Sequence, residues 1–221
     1  KSFKIPSGEI TNYPYLKYLG KQNKKIILST GMSNFLEIKQ ALNLLIKSGT
    51  KKNNIIILHC TSDYPAKFRE LNLNAINALR EKFNINIGYS DHSIGYEVSC
   101  AAVALGASVI EKHITLNNNL PGPDHKASLN YKNFQIFVEK IRNTELSLGK
   151  KNKIVTVSEK INLKYVRKSL VAKRKIDKGE TFTEKNLDTK RPGNGLSPMK
   201  WKNIIGKKAK KIFVKDELIT L

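Results

Sequence analysis

Five short apolar runs recur along the first 115 residues: SFKI (2–5), KIILST (25–30), NIIILHCT (54–61), INIGYSD (85–91) and SVIEKHIT (108–115). Their starts lie 23, 29, 31 and 23 residues apart, the length of one strand plus a crossover helix. The stretches between them are amphipathic. In 34–48, Phe35, Ile38, Ala41, Leu42, Leu45 and Ile46 follow helical spacing, and in 70–83, Leu71, Leu73, Ile76, Leu79 and Phe83 approximate the same stripe. A small apolar helix is expected over 95–106 and a longer one over 130–148, stopped by Gly149. Near-continuous apolar strands alternating with helices imply a parallel sheet covered by helices.

Five such units fill residues 1–149, whereas a complete (β/α)8 barrel needs roughly 250 residues. Three further units, on the order of 100 residues, are therefore expected before Lys1, and the chain opens without Met. An open, doubly wound five-stranded sheet is the alternative that length alone permits. The barrel is preferred because of what gathers at the strand ends.

Each run ends in polar or small residues: Ser7, Gly8 and Glu9; Ser29, Thr30 and Gly31; Thr61, Ser62 and Tyr64; Ser90, Asp91 and His92; Lys112, His113 and Thr115. Gly and Ser at any one strand end serve the turn. Five strands ending so in one direction describe the end of a sheet where α/β enzymes keep their chemistry. Alternation puts Ser90 with His92 on one side, and Glu111 with His113 on one side. Neutral imidazoles arriving from neighbouring strands make half of a divalent-metal site. The hydroxyls of Ser7, Ser29 and Ser90 beside Lys4 make a cradle for a phosphate or carboxylate. An anion cradle next to a metal suggests a phosphorylated or carboxylated substrate activated by a Lewis acid. His59, inside an apolar strand, reads as a core histidine.

The loop LPGPDHKAS (120–128) presents Asp124 on a rigid Pro-Gly-Pro turn. Asp124 either caps that turn or accepts hydrogen bonds from a sugar or polyol; His125 lies outside the strand-end geometry.

The net charge of +22 comes from 40 Lys and Arg against 18 Asp and Glu. Only six of the basic residues are Arg, and clusters such as Lys207, Lys208, Lys210 and Lys211 lack interleaved aromatics. Nucleic-acid binding is therefore disfavoured, while the same field would steer an anionic substrate. No segment has the apolar length of a membrane span. Cys60 and Cys100 sit in apolar segments as reduced thiols, so a cytoplasmic location is expected.

Residues 150–166 show no strong period and read as a linker. From Arg167 to Leu221 the pattern changes to short strands and tight turns, with SLVAK (169–173), a turn at Asp177–Glu180, and a helix start at Ser197-Pro198. Arg191, before Pro-Gly-Asn-Gly, reads on its own as a solvated turn residue.

The motifs KIPSGEITNYPYL (4–16), KKIILSTGM (24–32), ILHCTSDYP (57–65), IGYSDHS (87–93), IEKHIT (110–115) and GPDHKASL (122–129) resemble the sialic acid synthase family. RKSLVAKRKIDKGE (167–180) and TKRPGNGLSPMKW (189–201) resemble that family's antifreeze-like (SAF) domain, and the likeness is closest to bacterial N-acetylneuraminate synthases. The resemblance implies a TIM barrel, here its last five βα units over 1–149, then the linker 150–166 and a β-rich SAF domain over 167–221. It implies a transferase condensing phosphoenolpyruvate with N-acetylmannosamine to give N-acetylneuraminate and phosphate. N,N'-diacetyllegionaminate synthesis from a 2,4-diacetamido-trideoxy mannose is the alternative, and an inactive truncated fragment is another.

The same resemblance makes His92 and His113 metal ligands, for Mn²⁺ first and Mg²⁺ or Co²⁺ as alternatives. It places Lys4, Ser7, Ser29 and Ser90 on phosphoenolpyruvate, with Ser62 where some members carry Asn. Tyr64 and Asp124 match sugar-binding positions, and Glu9 lies in the same pocket as a third catalytic residue. Arg191 matches an arginine that the SAF domain sends into the other subunit of a domain-swapped homodimer. The departure is the absence of the family's first three strands, including one that carries a glutamate. The chain by itself is therefore expected to be inactive or poorly folded.

Overall fold

A computed structural model describes residues 2–221, and the chain falls into two compact units, Lys1–Gly149 and Lys150–Leu221. In the first, strands β1 (Ser2–Ile5), β2 (Lys25–Ser29), β3 (Ile55–Cys60), β4 (Asn86–Asp91) and β5 (Ile110–Lys112) form one sheet in the order β1-β2-β3-β4-β5. Every neighbouring pair is parallel. A doubly wound sheet reverses its strand order at a switch point. Here the chain steps one strand at a time in one direction, so the open alternative falls and the barrel pattern stands.

Curvature follows from a side-chain contact. A flat sheet would hold β1 and β5 about 19 Å apart, at about 4.8 Å per strand. Lys4 on β1 nevertheless brings its Nζ to 3.3 Å from Glu111 Oε2 on β5. The sheet is curled, and these two side chains cross its concave side.

Helices α1 (Tyr13–Lys21), α2 (Phe35–Lys47), α3 (Ala75–Phe83), α4 (Glu97–Ala104) and α5 (Tyr131–Leu148) connect or follow the strands. Helix α1 was not singled out from the sequence. Asn12 caps it by accepting from Tyr15 N, Pro14 sits in its first turn, and Leu16 and Leu19 are buried. A reciprocal capping box between Asn34 and Glu37 starts α2. The main core lies between sheet and helices: Ile5, Leu28, Ile57, Ile87 and Tyr89 pack against Leu16, Leu45 and Ile76. Among the described residues, no helix is long and apolar enough to cross a membrane.

In the second unit, β6 (Ser169–Ala172) pairs antiparallel with β7 (Leu187–Lys190) over a small core of Leu170, Ile176, Phe182, Phe213 and Ile219. The stretch expected as a linker is partly ordered: α6 (Val157–Val166) occupies its last ten residues, started by a Thr156–Glu159 capping box. At the expected helix start, Ser197 Oγ accepts from Met199 N, and a 3-10 turn leads into the four-residue α7 (Trp201–Ile204).

Candidate active site

Register assigns the faces of the curled sheet. Lys4 pairs with Ile27, Ile27 with Ile56, Cys60 with Ser90 and Ser90 with Glu111. Paired residues in a parallel ladder point the same way, so Lys4, Ser29, Cys60, Ser90 and Glu111 share the concave face with His92 and His113. The residues one position along face the helices.

The two imidazoles meet. The ring centroids of His92 and His113 are 5.3 Å apart and nearly perpendicular. With nitrogen–metal bonds of about 2 Å, two ligating rings have centroids roughly 4.5–5.5 Å apart. His92 is 7 % exposed, and its Nδ1 lies 2.7 Å from the carbonyl of Thr61. A carbonyl only accepts, so Nδ1 carries the proton and Nε2 the lone pair. Ser90 Oγ lies 3.3 Å from Nε2 but gives its single proton to Glu111 Oε1 at 2.8 Å. Nε2 is thus left as a free donor atom for a cation, the orientation in which metal-binding histidines are held. Burial, assisted by His113, lowers the pKa of His92, against the opposing Thr61 hydrogen bond. The ring is neutral near pH 7, as a ligand must be. His113 Nδ1 stands 3.7 Å from Asp124 Oδ2. Among the described residues no three His, Cys, Asp or Glu side chains converge into a metal cage. A cation held here would keep coordination positions open to other molecules.

The hydroxyls also converge. A Cβ added at Gly31 would lie 2.2 Å from Ser62 Oγ, 2.9 Å from Ser7 Oγ and 3.0 Å from Cys60 Sγ, so only glycine admits this approach. Ser7 Oγ accepts from Gly31 N at 2.9 Å. Ser29 is 3 % exposed, and its Oγ has no hydrogen-bond partner. Leaving a buried hydroxyl unpaired costs on the order of 1–3 kcal/mol, and a ligand oxygen on the concave side would remove that cost. Lys4 spends one of its three donors on Glu111 and keeps two.

Tyr64 covers the imidazoles, its ring 4.2 Å from that of His92 and 5.3 Å from that of His113. Burial raises its hydroxyl pKa, with further contributions from Cys60, Asp124 and Glu111. Beside His113, a cavity of about 290 Å³ is lined by Ile114, Gly122, Pro123, Asp124, His125 and Ser128. His125 Nδ1 is tied to Thr115 Oγ1 at 2.7 Å. Glu9 turns to Asn12 Nδ2 at 2.5 Å and so supports the start of α1. Arg191 belongs to the second unit, where its Nε donates to the carbonyl of Val166 at 2.9 Å. His59 faces the helices, with Nε2 2.8 Å from the carbonyl of Leu71.

Sequence reasoning gave Glu111 no role, although alternation had put it beside His113. Its partners Lys4 and Ser90 come from two other strands, beyond the reach of local spacing. Nor did it join Asp91 to Lys112, a buried ion pair of 3.1 Å on the helix side.

Comparison with known proteins gives the family. N,N'-diacetyllegionaminic acid synthase of Campylobacter jejuni is 55% identical over 219 residues, covering 99% of this chain and 66% of that protein. Human N-acetylneuraminate-9-phosphate synthase is 36% identical over 98% of this chain and 60% of its own length. The chain thus spans about two thirds or less of these curated relatives. The crystal structure of N-acetylneuraminic acid synthetase from Leptospira borgpetersenii superposes with a TM-score of 0.66 at 34% identity, over 73% of this chain and 56% of that one. The SAF domain model matches residues 167–221. The NeuB family model matches residues 1–153, the span that holds every strand end of the concave site, and the chain belongs to that family.

Proposed function

We propose that the protein carrying this chain condenses phosphoenolpyruvate with an aldehyde sugar of the N-acylated mannosamine type, giving a nine-carbon 2-keto acid and phosphate. The observation that carries this reading is the meeting of a histidine pair with an ammonium and several hydroxyls at one end of the sheet. Lys4 and Ser29 hold the anionic groups of phosphoenolpyruvate, with Ser7 and Ser62 at their edge, and Ser90 joins them by turning its proton from Glu111 to the ligand. His92 and His113 would hold a divalent cation, manganese in first place, which would supply Lewis acidity toward the sugar aldehyde. Tyr64 packs over both rings and keeps bulk water from them. Asp124 accepts from a sugar hydroxyl, and Glu9 is the further carboxylate available for proton transfer.

With the reactants so aligned, C3 of phosphoenolpyruvate bonds to the aldehyde carbon, water adds at C2, and the C–O bond to phosphate breaks. Donors fixed before the reaction hold the charge on phosphate as it leaves.

N-acetylmannosamine is the first candidate sugar. The 55% identical legionaminic acid synthase favours the 2,4-diacetamido-trideoxy mannose instead. Phosphate release measured with each sugar separates the two by kcat/KM. A second copy of the chain, supplying Arg191 to the sugar, is part of the proposal, and Arg191→Ala should then raise the sugar's KM. The main test is His92→Ala and His113→Ala: each should abolish phosphate release in folded protein. Turnover that survives both changes, with unaltered metal dependence, would refute the reading.

A further inference from the structure

We propose that the buried Asp91–Lys112 ion pair is a positioning device that sets the separation of His92 and His113, an inference that rests on reading those histidines as cation ligands. The β4–β5 ladder has three rows, Tyr89–Ile110, Ser90–Glu111 and Asp91–Lys112, and it ends there. The histidines form the next row. Beyond the ladder their backbones go to different partners: the His92 carbonyl accepts from Ala66 N at 3.0 Å, and the His113 carbonyl from Leu129 N at 2.9 Å. At the last row the side-chain pair on the helix side adds to the backbone pairing.

In that pair the carboxylate has its acceptor sites used. Lys112 Nζ lies 3.1 Å from Asp91 Oδ2, with the two side chains 2% and 0% exposed. Asp91 Oδ1 accepts from Ser93 N at 2.9 Å and from Ser93 Oγ at 2.6 Å. Asp91 Oδ2 also accepts from Ser99 Oγ of α4 at 2.6 Å. Lys112 donates in addition to the Ser93 carbonyl. The carboxylate therefore fills about four acceptor sites, and a satisfied network of this kind is rigid. For stability alone, an apolar pair of similar volume serves as well as a buried ion pair. An ion pair differs in fixing a length and a direction. Here it fixes them one residue, about 3.3 Å, before each imidazole. On the opposite face the Ser90–Glu111 hydrogen bond braces the row below, so the histidine row extends from two braced rows.

The test is Mn²⁺ binding, read from the electron paramagnetic resonance signal of free Mn²⁺, alongside the thermal midpoint. Asp91→Asn combined with Lys112→Met removes both charges. Wild-type thermal stability with Mn²⁺ affinity weakened about 10–100-fold, the range for ligand-orienting groups, supports the inference. Wild-type affinity in that folded double variant overturns it, provided His92→Ala and His113→Ala each lose binding; the cation reading then stands without it. If the histidine variants bind Mn²⁺ like the wild type, the cation reading falls and the inference falls with it. If the double variant fails to fold, Ser99→Ala decides. Weakened binding at an unchanged midpoint supports the positioning role, and unchanged binding overturns it.

Discussion

On the helix side of the five-stranded sheet, Ile5, Leu28, Ile57, Ile87 and Tyr89 are at most 1% exposed. The concave side of the same strands starts apolar, at Ile27, Ile56 and Leu58, and turns polar at Ser29, Cys60, Ser90 and Glu111. One backbone thus carries two programmes, separated only by the alternation of side chains. The helix side is committed to folding along its length. The concave side is committed to folding at the base and released for chemistry at the C-terminal rim. The Asp91–Lys112 pair breaks this division by placing charge among the helices.

The contrast is broken most sharply at that pair. Lys112→Met alone leaves the Asp91 carboxylate buried beside Ser93 and Ser99 without its counter-charge, and should cost about 3–5 kcal/mol in urea denaturation. A loss under about 1 kcal/mol would mean that the serines suffice. Ile57→Ala empties a fully buried site on the helix side and should cost about 2–5 kcal/mol by the same measurement, with ligand affinity of the remaining folded protein unchanged. Gly88→Ala probes the base of the concave side. The new Cβ would lie 2.5 Å from both Leu58 Cδ2 and the Val109 carbonyl oxygen. Backbone does not yield as a side-chain tip does, so about 1–3 kcal/mol should be lost. A neutral result would show that the base is as open as the rim.

Much of this architecture was legible. The five runs became the five strands, because apolar continuity and unit length are local properties. Strand order was not local, and it took the structure to separate barrel from doubly wound sheet. Alternation placed Ser90 with His92 and Glu111 with His113; the register pairs Ser90 with Glu111, Ser90 Oγ lies 3.3 Å from His92 Nε2, and the two imidazole centroids are 5.3 Å apart. It could not show that curling brings Lys4 across to Glu111, nor that Ser7, Cys60 and Ser62 close around Gly31. Those contacts depend on how loops and distant strands pack. Two signals were present and passed over: Asn12 with Pro14 at the start of α1, and Thr156 with Glu159 at the start of α6. The second starts a helix with a weak apolar stripe, which periodicity alone ranks low; the first starts a nine-residue helix whose Leu16 and Leu19 stripe was there to be read.

The finest comparison between the faces is by acid. His59 faces the helices and His92 the concave side, and burial is the first cause that lowers the pKa of each below the ordinary 6.5. Each also lies within hydrogen-bonding distance of a backbone carbonyl, of Leu71 and of Thr61 respectively. In the unfolded chain these imidazoles protonate near pH 6.5, whereas in the folded chain they do so only at lower pH. Between the two values the unfolded state binds more protons, so stability rises with pH across that window and is level above it. Acidifying from pH 7 should therefore lower the unfolding free energy as the pH passes below about 6.5, by at most about 1.4 kcal/mol per pH unit for each imidazole. His59→Gln should remove its share of the slope and leave Mn²⁺ binding at pH 7.5 untouched. His92→Gln should remove a similar share and abolish that binding. If His59→Gln weakens Mn²⁺ binding as His92→Gln does, the two faces are coupled through the strands, and the separation drawn here between folding and chemistry does not hold.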